Sequence, residues 1–291
     1  MKQHDNLILG QPPLVLPEKG KDKKFLFLLG ADDPEMEQNE TMLARHGQLF
    51  LHATCNGERV NPGNVYKADP VIVPEGHTLV LVECEPREFI GNGYRVQIAD
   101  HHRNGDPGFN ILPKDFLLGS SWGQLCLMLD IKSVSEYELI IAALDHCPTQ
   151  AMLGACPGVD PARAKLTYQQ LTAQRRSVSL GEVHACMRML TGQIARAPLV
   201  RIGNTPVIDT TSIPTGIGYS LEYVCSIGVA VELKIPILVS NRNGKLTPEK
   251  IVLTGAVTPE LVGDFRTDYA VRHNLINVWG DNNRGAGGNR P

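Results

Sequence analysis

The sequence predicts an α/β protein: a doubly wound, mostly parallel sheet followed by a second, smaller α/β domain. Three observations predict it. Short continuous apolar runs of strand length recur at 24–29, 79–82 and 94–99, the composition of strands buried in a parallel sheet. Each run stops at acidic or histidine residues, then at Gly or Pro punctuation, and two of them lead on to stretches of helical period. From Pro198 the pattern changes, and four strand candidates interleave with two helix candidates. The division expected is an irregular arm at 1–23, a first domain at 24–160, a helical connector at 161–197, and a small domain with a Gly-rich tail at 198–291.

Composition narrows the function classes. Hydrophobic residues make up 42% and charged residues 20% of the 291, an ordinary globular balance. Aromatics at 5% argue against a surface that stacks many bases, and a net charge of -3 gives no reason to expect long DNA or RNA. A small phosphorylated ligand remains compatible, since a local cluster of metal ions and arginines can hold it. The seven cysteines form no CxxC pair, and five (Cys84, Cys126, Cys147, Cys186, Cys225) lie in apolar segments. Together with an N-terminus lacking a secretion pattern, they point to a reducing cytoplasm. No apolar run approaches the ~20 residues that span a bilayer. Self-association into a homo-oligomer is compatible with all of this.

Taken in order, Lys24–Leu29 reads as the first buried strand. Gly30 allows a tight exit, Asp33 suits a helix N-cap and Pro34 suits the first helical position. The helix should run to about Arg45 with Met36, Met42 and Leu43 inward, and Gly47 sits where a helix-terminating glycine is common. Asp32 and Asp33 therefore stand in a strand-to-helix turn, either as cap and solvated turn residue or as ligands at a sheet edge. A strand at 48–53 and an Asn56-Gly57 turn follow, then the loop Asn61-Pro62-Gly63-Asn64 leading to Lys67. The run 79–82 ends in Glu83-Cys84-Glu85-Pro86. Glu83 and Glu85 share a face, and Glu83, nearer the strand, is preferred as the functional acid.

The stretch from Arg95 to Phe109 organises the rest. Its apolar run, 94–99, suits a buried strand and stops at Asp100-His101-His102, with Arg103 and a loop of Asn, Gly, Asp and Pro behind it. In a parallel sheet the C-terminal strand ends are where ligands bind. One carboxylate and two imidazoles there suit Mn²⁺, Fe²⁺ or Zn²⁺ better than Ca²⁺. Ser120 or Ser121 would cap a helix over 122–129, and a hydroxyl-rich helix start is also an anion site. A capping box at Ser133–Glu136 opens the next helix, which ends at Asp145-His146. His146 is open to three roles: ligand, partner behind a ligand, or general acid. The stretch 151–161 reads as a turn-rich break, 162–177 as a helix, and Ser179-Leu180-Gly181-Glu182 as a capping box for a helix to about Gly192. Strands are expected at 199–202, 207–211, 236–240 and 251–255, and helices at 219–231 and 259–273. The terminal run Arg284-Gly285-Ala286-Gly287-Gly288-Asn289 reads either as a frayed end or as a glycine-rich phosphate contact clamped by Arg284.

Acids at three strand ends, an Asp-His-His tripeptide, and Asp at a helix end occur here in the order found in the DHH phosphoesterase superfamily, which this chain resembles over 24–150 and more faintly over 198–291. The family hydrolyses phosphodiester and phosphoanhydride bonds with divalent metal. The resemblance implies Asp32, Asp33, Glu83, Asp100, His101 and Asp145 as metal ligands. It gives His102 and His146 catalytic or supporting roles, and Arg103, Arg284, Gly287, Gly288, Lys67 and Ser120 contacts to substrate. The implied metal is Mn²⁺ first, with Mg²⁺, Fe²⁺ or Zn²⁺ as alternatives. Departures are plain: the first motif is Gly-Ala-Asp-Asp-Pro-Glu rather than His followed by alternate Asp, the second-motif acid is Glu, the fourth has His after Asp, and the late glycine run lacks a His. The expected function is a metal-dependent phosphohydrolase acting on a nucleotide, a short oligonucleotide or a similar small phosphoester. A relative that binds nucleotide or metal without hydrolysis, as a sensor or assembly subunit, is the alternative, and a non-hydrolytic metalloenzyme is a third.

Overall fold

A computed structural model describes residues 24–213, 220–241 and 249–291. The arm expected at 1–23 and the helix start expected at residue 219 lie outside them. The fold is mixed α/β and falls into two compact units, one holding residues 24–111 and 115–146, the other 112–114 and most of the chain from Cys147 on.

In the first unit, β1 (Lys24–Leu29) lies inside a four-stranded, wholly parallel sheet with β2 (Leu49–His52), β6 (His77–Val82) and β8 (Arg95–Ala99), in the order β2-β1-β6-β8. Between them run β3 (Thr54–Cys55), β4 (Glu58–Arg59), β5 (Val71–Ile72) and β7 (Phe89–Ile90). Alternation along the strands sends Leu26, Leu28, Leu79 and Leu81 to one face. There they pack with Ala53, Val60, Val65, Val71 and Val73 from the long excursion between β2 and β6. Phe27, Leu29, Val80 and Val82 point the other way and are equally buried. Helices belong to this unit too: α1 (Pro34–Arg45) against β2, α3 (Ser121–Met128) against β8, and α4 (Glu136–His146) against α1, with the short α2 (Phe116–Gly119) before α3.

Local chemistry sets the helix ends. The Asp33 carboxylate accepts from Met36 N at 2.8 Å, Pro34 opens α1, and Gly47 takes φ +63° just past its end. Ser120 caps α3. The capping box of α4 is formed by Ser135 and Glu138, not by Ser133 and Glu136 as expected: Ser135 N and Oγ both donate to Glu138 Oε2 at 2.7 Å. The helix starts two residues later, where Ile140, Ile141 and Leu144 turn inward together. The run 94–99 also departs from expectation. β8 is an edge strand, with Val96 39% and Ile98 38% exposed and only Ala99 buried, because an edge strand has a neighbour on one side only.

The second unit carries α5 (Pro148–Leu153), α6 (Pro161–Arg176), α7 (Leu180–Ile194), β9 (Leu199–Ile202), β10 (Thr205–Asp209), α8 (Leu221–Leu233), β11 (Pro236–Asn241), β12 (Lys250–Gly255), α9 (Pro259–Asp264, continuing as a helix to Arg272), β13 (Ile276–Asp281) and β14 (Gly285–Asn289). The strands form one sheet in the order β13-β14-β12-β11-β10-β9. Val183, Met187, Leu190 and Ile194 of α7 pack with Cys225 and Val229 of α8 on one face of it, and Leu261, Val262, Phe265 and Tyr269 cover the other. The helices expected as a connector are thus part of this unit's core. The break expected over 151–161 is partly helical: Pro148 starts α5 and Gly154, at φ +88°, ends it.

The glycine-rich run is an interior strand. Val252 pairs with Gly287 and Ile251 with Gly288 on one side, and Trp279 pairs with Gly287 on the other. A Cβ on Gly287 would lie 2.7 Å from the Trp279 ring. Glycine is required for that close packing, so Gly287 and Gly288 are ladder residues rather than a phosphate loop.

Candidate metal centre

The sheet edge is built from the backbone upward. Gly30 leaves β1 and donates to Val82 O at 2.9 Å. A Cβ there would sit 2.5 Å from Glu83 O, so only glycine lets the ends of β1 and β6 close on each other. Glu83 itself adopts φ +51°, a left-handed conformation costly for a side-chain-bearing residue, and donates its N–H to Ala99 O at 3.1 Å. The turn buries its carboxylate to 6% exposure.

Asp100 follows β8 and is buried. Its Oδ1 accepts from His101 N at 2.6 Å, His102 N at 3.0 Å and His102 Nδ1 at 2.9 Å, and its Oδ2 accepts from the Tyr66 hydroxyl at 2.9 Å. Burial works to raise its carboxyl, but the bonds and the charge of His102 hold it below the usual range. Asp100 thus shapes the loop and aims the two histidines.

His101 is fixed by a chain of bonds. The Ile111 carbonyl can only accept, so His146 Nε2, 2.8 Å away, must donate to it. A neutral His146 then offers Nδ1 as acceptor to His101 Nδ1 at 2.9 Å, so His101 Nδ1 carries the hydrogen. In its neutral form His101 would then turn a lone pair on Nε2, the form able to ligate a metal, toward Asp145 Oδ2 at 2.9 Å and Glu83 Oε1 at 3.4 Å; as an imidazolium it would donate there instead.

The third buried acid is Glu35, in the first turn of α1. Ser121 Oγ donates to it at 2.7 Å and Trp122 N at 3.2 Å, while Asn39 holds the Ser121 hydroxyl. Burial first, then the charges of Asp145 and Glu83, push its carboxyl well above the ordinary range. The ligand atoms of Glu35, Glu83, His101 and Asp145 lie within 4.8 Å of one another, as do those of Glu83, His101 and His102. Glu83 Oε1 is buried with no hydrogen-bond partner. An orphaned carboxylate oxygen, an inward imidazole lone pair and two further acids are a donor set that fits a divalent ion of the Mn²⁺, Fe²⁺ or Zn²⁺ kind.

Of the residues singled out from the sequence, Glu83, His101, His102 and Asp145 come together here. Asp32 is exposed in the turn, and Asp33 serves as the α1 cap; neither joins the cluster. Glu35, which the sequence reading passed over, joins it. An acid in a first helical turn ordinarily answers the helix dipole, and that reading hides it; its one signal is an acid on the buried face of α1, beside Met36. His146 stands behind His101 rather than among the ligand atoms. Ser120 is fully buried with its hydroxyl accepting from Gly123 N. Arg103 lies over the Tyr66 ring at 3.9 Å and pairs with Glu85 at 2.6 Å. Lys67 is exposed. Arg284 stands in the β13–β14 turn of the second unit, where its N–H donates to Asp281.

Fold and site define an α/β protein with a buried acid–histidine cluster that could hold a divalent metal ion. No family model matches the chain, and no curated protein matches it. Among solved structures it is similar to a pGpG-specific phosphodiesterase, PggH from Vibrio cholerae, at a TM-score of 0.35 and 11% identity over 91% of each chain. Among the described residues, no helix is long and apolar enough to cross a membrane.

Proposed function

We propose that the protein is a cytoplasmic, metal-dependent phosphohydrolase of the DHH phosphoesterase kind, acting on a small phosphorylated substrate such as a nucleotide or short oligonucleotide. The observation that carries this reading is the bond chain from Ile111 through His146 to His101, which turns His101 Nε2 toward Glu83 and Asp145, in one group of ligand atoms with the buried Glu35. A bound divalent ion would supply a water ionising near pH ~7 and a positive charge against the phosphoryl oxygens. Glu83 and His101 belong to both ligand groups, so they are the residues on which metal retention should depend most. His102, half-exposed and held by Asp100 through Nδ1, keeps its Nε2 available to a substrate oxygen.

The test is metal content by mass spectrometry on protein purified without chelator, beside Glu83→Gln and His101→Ala, followed by hydrolysis of bis(p-nitrophenyl) phosphate and short oligonucleotides. Stoichiometric metal lost in both variants, with metal-dependent product from the wild type, supports the proposal. Metal or nucleotide binding without product would favour the non-hydrolytic binding protein. Absence of metal after addition of Mn²⁺ would refute the phosphohydrolase and leave the nucleotide-binding protein in the lead.

A further inference from the structure

Arg103, the phosphate contact expected from the sequence, pairs with Glu85. Arg59 closes the β3–β4 hairpin opposite Thr54, and its Nε donates to Gly30 O at 3.0 Å. Gly30 is the glycine against which the Glu83 backbone closes. The tether therefore fixes a half-buried guanidinium at the C-terminal end of β1, beside the residue common to both ligand groups.

Three other arginines of this unit face acids, Arg45 with Glu138, Arg87 with Asp69 and Arg103 with Glu85, and Arg95 is exposed on β8. Arg59 has no carboxylate within 4.0 Å among the described residues, and its one hydrogen bond uses Nε. Both terminal amino groups of the fork are left over. A guanidinium stripped of part of its water and given no counter-ion is favourable where an anion is to arrive, and its planar fork matches two phosphoryl oxygens at once.

We infer that Arg59 binds the phosphoryl group of the substrate beside the metal cluster, an inference that rests on the phosphohydrolase reading. The sequence hides it, since nothing around Glu58-Arg59 marks a site.

Steady-state kinetics on bis(p-nitrophenyl) phosphate with Mn²⁺ test it, comparing wild type with Arg59→Ala and Arg59→Lys, with metal content measured on each. Arg59→Ala should raise KM by about tenfold or more while kcat changes less than about threefold, the mark of binding lost equally from ground and transition states. Arg59→Lys, which keeps the charge but not the fork, should fall between. A KM within about twofold of wild type overturns the inference. So does loss of metal from both variants, which would make Arg59 a support for the Gly30 turn. If the wild type hydrolyses nothing, the phosphohydrolase reading fails on its own. Calorimetry with inorganic phosphate on Mn²⁺-loaded protein then decides: binding lost in Arg59→Ala keeps the anion site, and equal or absent binding removes it.

Discussion

His146 and Asp100 show how a side chain can shape a candidate metal centre from outside its two groups of ligand atoms. Asp100 spends its carboxylate on four donors, and His146 spends its two ring nitrogens on Ile111 O and His101. The outcome is one tautomer and one orientation of His101. Partners of this kind typically contribute 10- to 100-fold in metal affinity. We expect His146→Ala to weaken metal binding by about that factor, read by competition against a chromophoric chelator. Unchanged affinity would mean that the His101 tautomer is set some other way. The acids divide by the same logic. Asp33 caps α1 through the Met36 N–H, whereas Glu35, two residues on, is buried where Ser121 and Trp122 donate to it and its charged neighbours are Asp145 and Glu83.

At the scale of elements, short-range rules placed most boundaries. The Ser179 box forms with both of its bonds, and Asp160 caps α6 through Ala162 N and Arg163 N. Where the rules misled, tertiary packing decided. The run from Gly285 to Asn289 has the composition of a frayed end, yet it is an inner strand, because glycines alone let β13 and β12 approach through it. Gly287→Ala should therefore cost roughly 1–3 kcal/mol, the range of overpacking a filled site. Urea unfolding would measure it, and a cost under ~0.5 kcal/mol would show that Trp279 swings away freely.

At the scale of the whole molecule, the cluster ties stability to metal and to pH. With metal removed, Glu35 is held protonated by burial and by Asp145 and Glu83. A carboxyl raised on folding adds stability that is complete below its unfolded value, about 4.5, and is lost as pH rises through the folded value. The Tm of chelator-treated protein should thus fall as pH rises from about 4.5 through the raised folded value, and Glu35→Gln should flatten the fall. Metal should restore Tm most at the upper end of that range, since the ligands must be deprotonated to bind. A metal-free Tm that rises over the same range would show that Glu35 is not a buried proton carrier.

The sequence by itself determined the α/β class, the order of most elements, and four residues that meet at the cluster: Glu83, His101, His102 and Asp145. Strand ends and caps are local signals, and a parallel sheet gathers strand ends on one edge whatever the details. Only the tertiary structure decided which acids turn inward. Glu35 rather than Asp32 or Asp33 reaches the cluster because the Asp33 cap fixes the phase of α1, and phase, not proximity in sequence, sets direction. Arg59 is likewise placed by a hairpin crossing to Gly30, a contact 29 residues long in the chain that no local pattern announces. The unit boundary at His146 and the exposure of β8 depend on which faces find partners, and that is a property of the packed molecule.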